Sequence, residues 1–305
     1  MYHRIAPALV LAALLLSGEA FAWNAAGHRL VAAIAWRGMD ETTRGNVVAT
    51  LSRHPDYETW IKRARHEEPG YVAFLEASTW PDDIKGDKRF HEDDETPTPA
   101  QKGFPEMARH RHWHHVDQPV DGAAVKHTGK GELDGRLEAF RVLLGHPRAT
   151  VEAKAWALPW LIHLVGDIHQ PLHTVSRYDA KGRSDEGGNE LWIDNPFHPR
   201  RTSMTLHAYW DDLPGPPWLR GARLEESASR LLRESTEAAT LESIATWLKE
   251  SRQLARESAY AGLAGEVPTL GTDYHERAQA IARQRVTLAG QRLALLLRQL
   301  FGKAQ

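Results

Sequence analysis

His163-Leu-Val-Gly-Asp167-Ile-His169-Gln-Pro-Leu-His173 decides the reading of this chain. The stretch closes a long apolar run that starts at Val151. Pro171 ends the helix, because proline has no amide hydrogen and restricts the residue before it. His163 and Asp167 stand four apart, so a helix presents both on one face and aims them at one centre. Once the helix has stopped, His173 can turn back toward a second centre nearby. Asp167 then sits where a carboxylate bridging two metal ions is needed. His169 falls on a different helical face and reads as a packing or surface residue.

The same spacing recurs in His207-Ala-Tyr-Trp-Asp211. Trp23 and His28 form a third element. If a leader is removed after Ala22, the free amino group of Trp23 can chelate a metal together with its own carbonyl, and His28 follows about one turn later. Asp82 ends a helix after Ser78-Thr-Trp-Pro. The cluster His110-Arg-His112-Trp-His114-His115 offers one or two further ligands. An extended backbone would put His110, His112 and His114 on one side and His115 on the other. Spacing alone does not choose among them.

Composition narrows the chemistry. The 305 residues hold 40 acidic and 38 basic side chains, so no global basic field grips duplex DNA. Any attraction for anions is local, and bound metal ions are one way to supply it. Histidine is abundant at 17 residues and cysteine is absent, which excludes thiolate zinc sites, disulfides and a cysteine nucleophile.

The start reads as a secretory leader: Arg4, an apolar run from Ile5 to Leu16 broken only by Pro7, then the small-x-small site Ala20-Phe21-Ala22. That run is shorter than the roughly 20 residues a bilayer requires. The expectation is a periplasmic or secreted protein with no membrane anchor after cleavage. Residues 1–22 are the leader and 23–305 one domain, because the candidate ligands run from Trp23 to Asp211. A monomer is expected.

Periodicity predicts helices over Ala25–Trp36, Glu41–Leu51, Tyr71–Trp80, Leu133–Leu144 and Val151–Gln170, the last bent at Pro159. Leu206 to Asp212 starts another. Two long amphipathic helices follow, near Leu224–Ala261 with breaks and near Asp273–Leu300. Asn189 to Asp194 alternates like a strand, and Lys85 to Pro105 reads as an exposed loop. The fold class is mainly α with a short β-hairpin.

Six ordered blocks resemble the zinc-dependent single-strand nucleases, the S1/P1 family, which is related to zinc phospholipase C. They are Trp23-Asn-Ala-Ala-Gly-His28, Ser78-Thr-Trp-Pro-Asp82, Trp113-His114-His-Val-Asp117, the His163–His173 stretch, Gly187-Gly188-Asn189 and Leu206-His207-Ala-Tyr-Trp-Asp211. The resemblance implies three zinc ions. Asp82, His114, His163 and Asp167 would hold the first; Trp23, His28 and Asp167 its close neighbour; His173, His207 and Asp211 the third. His114 is chosen over its neighbours only by its place in the family pattern.

The resemblance further implies hydrolysis of single-stranded DNA and RNA by a metal-bridged hydroxide, leaving 5′-phosphates, with 3′-nucleotidase activity alongside. Asp82 would orient the attacking water and Lys85 neutralise phosphoryl charge. His115, Asp117, Gly188 and Asn189 would bind the flanking nucleotide. His115 stands where relatives carry an aromatic side chain, and Lys85 where they often carry Arg. Two other functions fit the ligand set less well: a zinc phospholipase C, and a zinc-binding protein without catalysis.

Overall fold

The computed structural model describes residues 23–122, 129–236 and 238–302. The leader and its cleavage site after Ala22 lie outside the described residues. The chain is mainly helical. α1 (Ala25–Gly38), α2 (Glu41–Leu51), α3 (Tyr57–Ile61), α4 (Pro69–Ala77) and α5 (Trp80–Asp83) form the first half. α6 (Leu133–Gly145) and α7 (Val151–Asp167) precede the hairpin of β1 (Trp192–Asp194) and β2 (Ser203–Thr205). α8 (Leu206–Asp212), α9 (Gly221–Glu234), α10 (Ile244–Leu254) and α11 (Thr272–Phe301) complete it.

α1 and α7 lie at the centre, and their sequences explain why. Every residue of α1 from Ala26 to Trp36 is buried, as is every residue of α7 from Ala155 to Asp167. A helix apolar on all sides has no solvent face to keep. Small residues let α11 lie close against α1: a Cβ at Gly290 would come within 2.6 Å of Ile34, and one at Gly38 within 2.7 Å of Ala294. Short polar side chains start the helices. Asn24 accepts from the Ala26 amide at 2.9 Å, Asp40 from Thr43 at 2.8 Å, and Thr205 from Ala208 at 3.2 Å.

A second apolar cluster joins the hairpin, where Ile193 faces Met204, to α8 and the first turns of α11.

Several expected elements take another form. α7 includes Pro159 within its length and stops at Asp167, three residues before Gln170. The Tyr71–Trp80 helix divides into α4 and α5, and the Leu224–Ala261 helix into α9, α10 and a π-helical turn at Ala255–Ala259. The Lys85–Pro105 stretch is largely an exposed loop, as expected, but it is anchored at both ends. Phe90 and Phe104 bury themselves against Trp80, and the backbone of His91 bridges Ala108. The His110–His115 cluster is not extended either. His110 takes a left-handed φ of 52° and Arg111–His114 forms a tight 3-10 turn, so alternation fails.

Candidate metal centre

α7 delivers His163 and Asp167 to one point from its last turn, both fully buried. His163 Nδ1 lies 2.8 Å from the Ser78 carbonyl, so that nitrogen carries the hydrogen and Nε2 keeps a lone pair. This lone pair faces Asp167 Oδ2 at 3.3 Å and His114 Nδ1 at 2.9 Å. His114 Nδ1 is also 3.1 Å from Asp167 Oδ2. α1 supplies His28, whose Nε2 lies 3.3 Å from Asp167 Oδ1 and whose ring stacks on His163 at 3.8 Å. Gly166 makes room for it, since a Cβ there would meet His28 Nδ1 at 2.8 Å.

Asp82, from α5, places Oδ1 3.7 Å from both His114 and His163, and Oδ2 4.0 Å from His28. Trp23 is fully buried at the start of α1, with its Cβ close to Gly27.

The other half lies beyond the turn that Pro171 enforces. His173 donates through Nδ1 to the His114 carbonyl at 2.6 Å, and His207 through Nδ1 to the Gly187 carbonyl at 2.8 Å. Both Nε2 atoms therefore present lone pairs, and they face each other at 3.0 Å. Asp211 Oδ2 is 3.4 Å from His207 Nε2, and its Oδ1 accepts from Gln170 at 2.8 Å.

Three groups thus bring ligand atoms within 4.8 Å of one another: His28–Asp82–His163, His114–His163–Asp167 and His173–His207–Asp211. The residues fit metal ions. Two imidazole lone pairs at contact distance repel unless a cation lies between them. His28 Nδ1 and Nε2, His114 Nε2 and Asp167 Oδ1 are buried without a hydrogen-bond partner among the described residues. All the donors are nitrogen or oxygen, the set that suits zinc. Each of His163, His173 and His207 also has a backbone carbonyl fixing its tautomer, the usual support for a metal-binding imidazole.

Electrostatics set the carboxylates apart. Burial would raise Asp82, but Lys85, His163, His114 and His28 outweigh it and hold the carboxyl below its usual range. Burial is likewise outweighed at Asp167, by the charge of His163 and by the His114 and His28 imidazoles packed around it. At Asp211 burial wins and pushes the carboxyl well above its usual range. Burial pushes His114 down to about 3 and His207 to about 4, while Asp167 and Asp82 overcome burial at His163 and raise it.

A 410 Å³ cavity opens on the centre, lined by His114, His173 and His207 and by Lys85, Arg111, His115, Asp117, Lys130 and Asn189. Lys85 is buried and donates to Asp82 Oδ1 at 2.6 Å. His115 Nε2 sits 3.4 Å from Asp117 Oδ2, and Asp117 Oδ1 also accepts from Ser176 at 3.2 Å. Asn189 donates to the Glu186 carbonyl at 2.8 Å.

Gly188 is buried beside the cavity lining, and its carbonyl accepts from the His207 amide at 3.2 Å. With Gly187 it holds the left-handed turn, φ 64° and 86°, that shapes the wall. A larger cavity of 790 Å³ runs along α10 without any candidate ligand.

Sequence reading missed Gln170, which orients Asp211, and the cationic rim of Arg111 and Lys130. Of the two readings open for His169, packing or surface, the structure has packing: that ring is fully buried. The position of Gln170 between the candidate ligands Asp167 and His173 was the available signal.

Comparison with known proteins agrees with this geometry. The chain is 28% identical to Endonuclease 1 of Arabidopsis thaliana over 310 residues, covering 92% of this chain and 87% of that protein. It is 28% identical to Endonuclease 4 of the same plant over 318 residues, covering 96% and 94%. The S1/P1 Nuclease family profile matches residues 23–302, which span both halves of the centre and the helices behind it. The chain therefore belongs to the S1/P1 nuclease family, hydrolases that act on nucleic acids.

Proposed function

We infer that this nuclease is a zinc-dependent endonuclease that cuts single-stranded DNA and RNA to 5′-phosphate products and removes 3′-phosphates from nucleotides. It acts outside the cytoplasm after cleavage behind Ala22, which frees the Trp23 amino group as a ligand. Asp82, His114, His163 and Asp167 would hold one ion, Trp23, His28 and Asp167 a second, and His173, His207 and Asp211 a third. Zinc would supply Lewis-acid charge on the phosphate and a water made acidic near neutral pH.

The chain's own groups do the rest. Asp82, kept ionised by its neighbours, accepts a hydrogen bond from the attacking water and orients it in line with phosphorus. Lys85 brings an ammonium to the cavity wall, where it faces charge that develops on the phosphoryl oxygens. His115 offers a ring face to the flanking base, and Asp117 and Asn189 offer hydrogen bonds to its edge. A base can use that wall only when unstacked and unpaired, which favours single strands.

One observation carries this reading: the converging imidazoles and the His115–Asp117 pair line the same 410 Å³ cavity. Metal analysis of the mature protein beside assays on single-stranded DNA, duplex DNA and phosphatidylcholine tests it. Three zinc per chain with chelator-sensitive cleavage of the single strand is expected. Cleavage of the lipid in preference to the nucleic acid would replace it with a phospholipase C.

A further inference from the structure

The helices that the sequence left without a role carry buried charge into the back of the metal centre. Arg285 and Arg292 stand seven apart on α11, on the stripe that faces the core, and both are at least nine-tenths buried. Arg292 grips Glu250 with two nitrogens, at 2.6 and 2.7 Å. Arg285 reaches the same carboxylate at 2.9 Å and the Ser251 hydroxyl at 2.8 Å. A buried guanidinium is costly to keep and is retained only where its donors are used.

Here the donors not taken by Glu250 and Ser251 reach one corner of the chain, at His169. A helix end leaves carbonyls without partners, and Pro171 prevents α7 from continuing to satisfy them. The Val165 carbonyl takes a hydrogen bond from His169 Nδ1 at 2.8 Å. That fixes Nδ1 as the protonated nitrogen and leaves Nε2 to accept from Arg292 at 3.0 Å. Ser251 donates to the Ile168 carbonyl at 2.5 Å, and Arg285 to the His169 carbonyl at 3.2 Å. Two cations therefore face the negative end of α7: Arg285 fills one of the open carbonyls beyond it, and Arg292 reaches the same corner through the His169 ring.

The opposite side of this corner faces the metal centre. Asp167 points into one half and His173 into the other, and Gln170 between them holds Asp211 at 2.8 Å. Metal geometry tolerates displacements of only about 0.5 Å before ligands fall out of reach. Whatever fixes residues 165–173 thus fixes the distance between the two halves.

We propose that His169, Arg285 and Arg292, anchored on Glu250 and Ser251, are positioning residues that set the spacing between the two halves of the metal centre. This rests on the metal-centre reading above. The brace touches no substrate and no metal, and it acts only through the Asp167–His173 corner.

The test is zinc affinity of purified, folded protein, read by competition with a chromophoric chelator well below each variant's melting temperature. Arg292→Met should weaken zinc binding in both halves together by about 10- to 100-fold, the usual cost of losing a group that supports a ligand. Arg292→Lys, which keeps the charge but not the fork, should recover part of that loss. Ser251→Ala removes a single bond and should weaken binding less, which preserves a measurement if Arg292→Met fails to fold. Val286→Ala, a buried change on the same helix outside the brace, should lower the melting temperature without touching zinc affinity.

Wild-type affinity in folded Arg292→Met and Ser251→Ala, with only the melting temperature reduced, would show a network that serves folding alone and overturn the brace. A wild-type protein that binds no zinc would instead remove the metal-centre reading on which the brace depends. Neither result requires nuclease activity.

Discussion

Asp167 and Asp211 are one residue type, equally hidden from solvent, in the two halves of one centre, yet their surroundings drive them in opposite directions. Asp167 meets three imidazoles, from His28, His114 and His163, at 3.1 to 3.3 Å. They hold its carboxyl well below the usual range despite burial. Asp211 has one imidazole at 3.4 Å and the amide of Gln170, and burial pushes it well above that range. Burial alone therefore does not decide whether a carboxylate is charged; the number of cationic or donating neighbours does. The surroundings of Asp167 favour its charged form, and those of Asp211 its neutral form.

The sharpest way to break this contrast is to neutralise each carboxyl in turn. Asp167→Asn removes a group that reaches two of the three imidazole clusters. Hydrolysis of single-stranded DNA should fall by more than the ~100-fold typical of losing a supporting group, with two zinc ions lost. Asp211→Asn should lose one ion and retain the other two. Equal zinc loss in both variants would mean that Asp167 does not bridge.

Lys85 acts on both halves, and its removal should sharpen the comparison rather than break it. Its charge lowers the proton affinity of His114 on one side and of His207 on the other. Lys85→Ala should reduce kcat roughly 100-fold, the lower end for a group aimed at developing charge, while zinc content stays at the wild-type value. Loss of zinc from the Asp82 side would instead make Lys85 a structural partner of that carboxylate.

The metal-free protein should display the contrast as two opposing pH effects on stability. An unfolded aspartate titrates near pH 3.9. The depressed Asp167 contributes stability that is complete above this value and is lost as pH falls through its lower folded pKa. The elevated Asp211 has the opposite sign: its contribution is complete below about pH 3.9 and is lost as pH rises through its higher folded pKa. Chelator-treated Asp211→Asn should therefore lose less stability between acid and neutral pH than chelator-treated wild type, measured by denaturant unfolding. Parallel curves for the two proteins would remove the distinction between the halves.

The same contrast marks how far the sequence could be read. His163, Asp167, His173, His207 and Asp211 were legible because helical spacing and one proline fix their directions locally. The mainly helical class followed from the same periodicity. The charge state of each aspartate was not legible, since it depends on His28, 139 positions before Asp167, and on Gln170 across a turn. Arg285 and Arg292 were covered only by the reading of an amphipathic helix near Asp273–Leu300. Their position on the apolar stripe was the clue, but only tertiary packing reveals the acceptors they serve. The Lys85–Pro105 stretch was legible as an exposed loop, but its anchoring by Phe90 and Phe104 was not. At His110 a single left-handed φ redirected a run that alternation alone would have fixed.

The smallest expected effect lies outside both halves, at the wall where His115 stands. Its Nε2 is 3.4 Å from Asp117 Oδ2, so the imidazole occupies a carboxylate that could otherwise meet a base edge. About a third of the side chain remains open to the cavity. A stacked base is worth roughly 1–3 kcal/mol on an aromatic platform, and a phenyl ring should improve on imidazole by a fraction of that. His115→Phe also frees Asp117. Both changes act in the same direction, so KM for a single-stranded substrate should fall about fivefold, equivalent to about 1 kcal/mol, with zinc content and kcat unchanged. Asp117→Ala should raise KM, because it leaves the ring face in place and removes the acceptor. If His115→Phe raises KM instead, the His115–Asp117 pair itself is the recognition element, and the wall reads hydrogen bonds more than stacking.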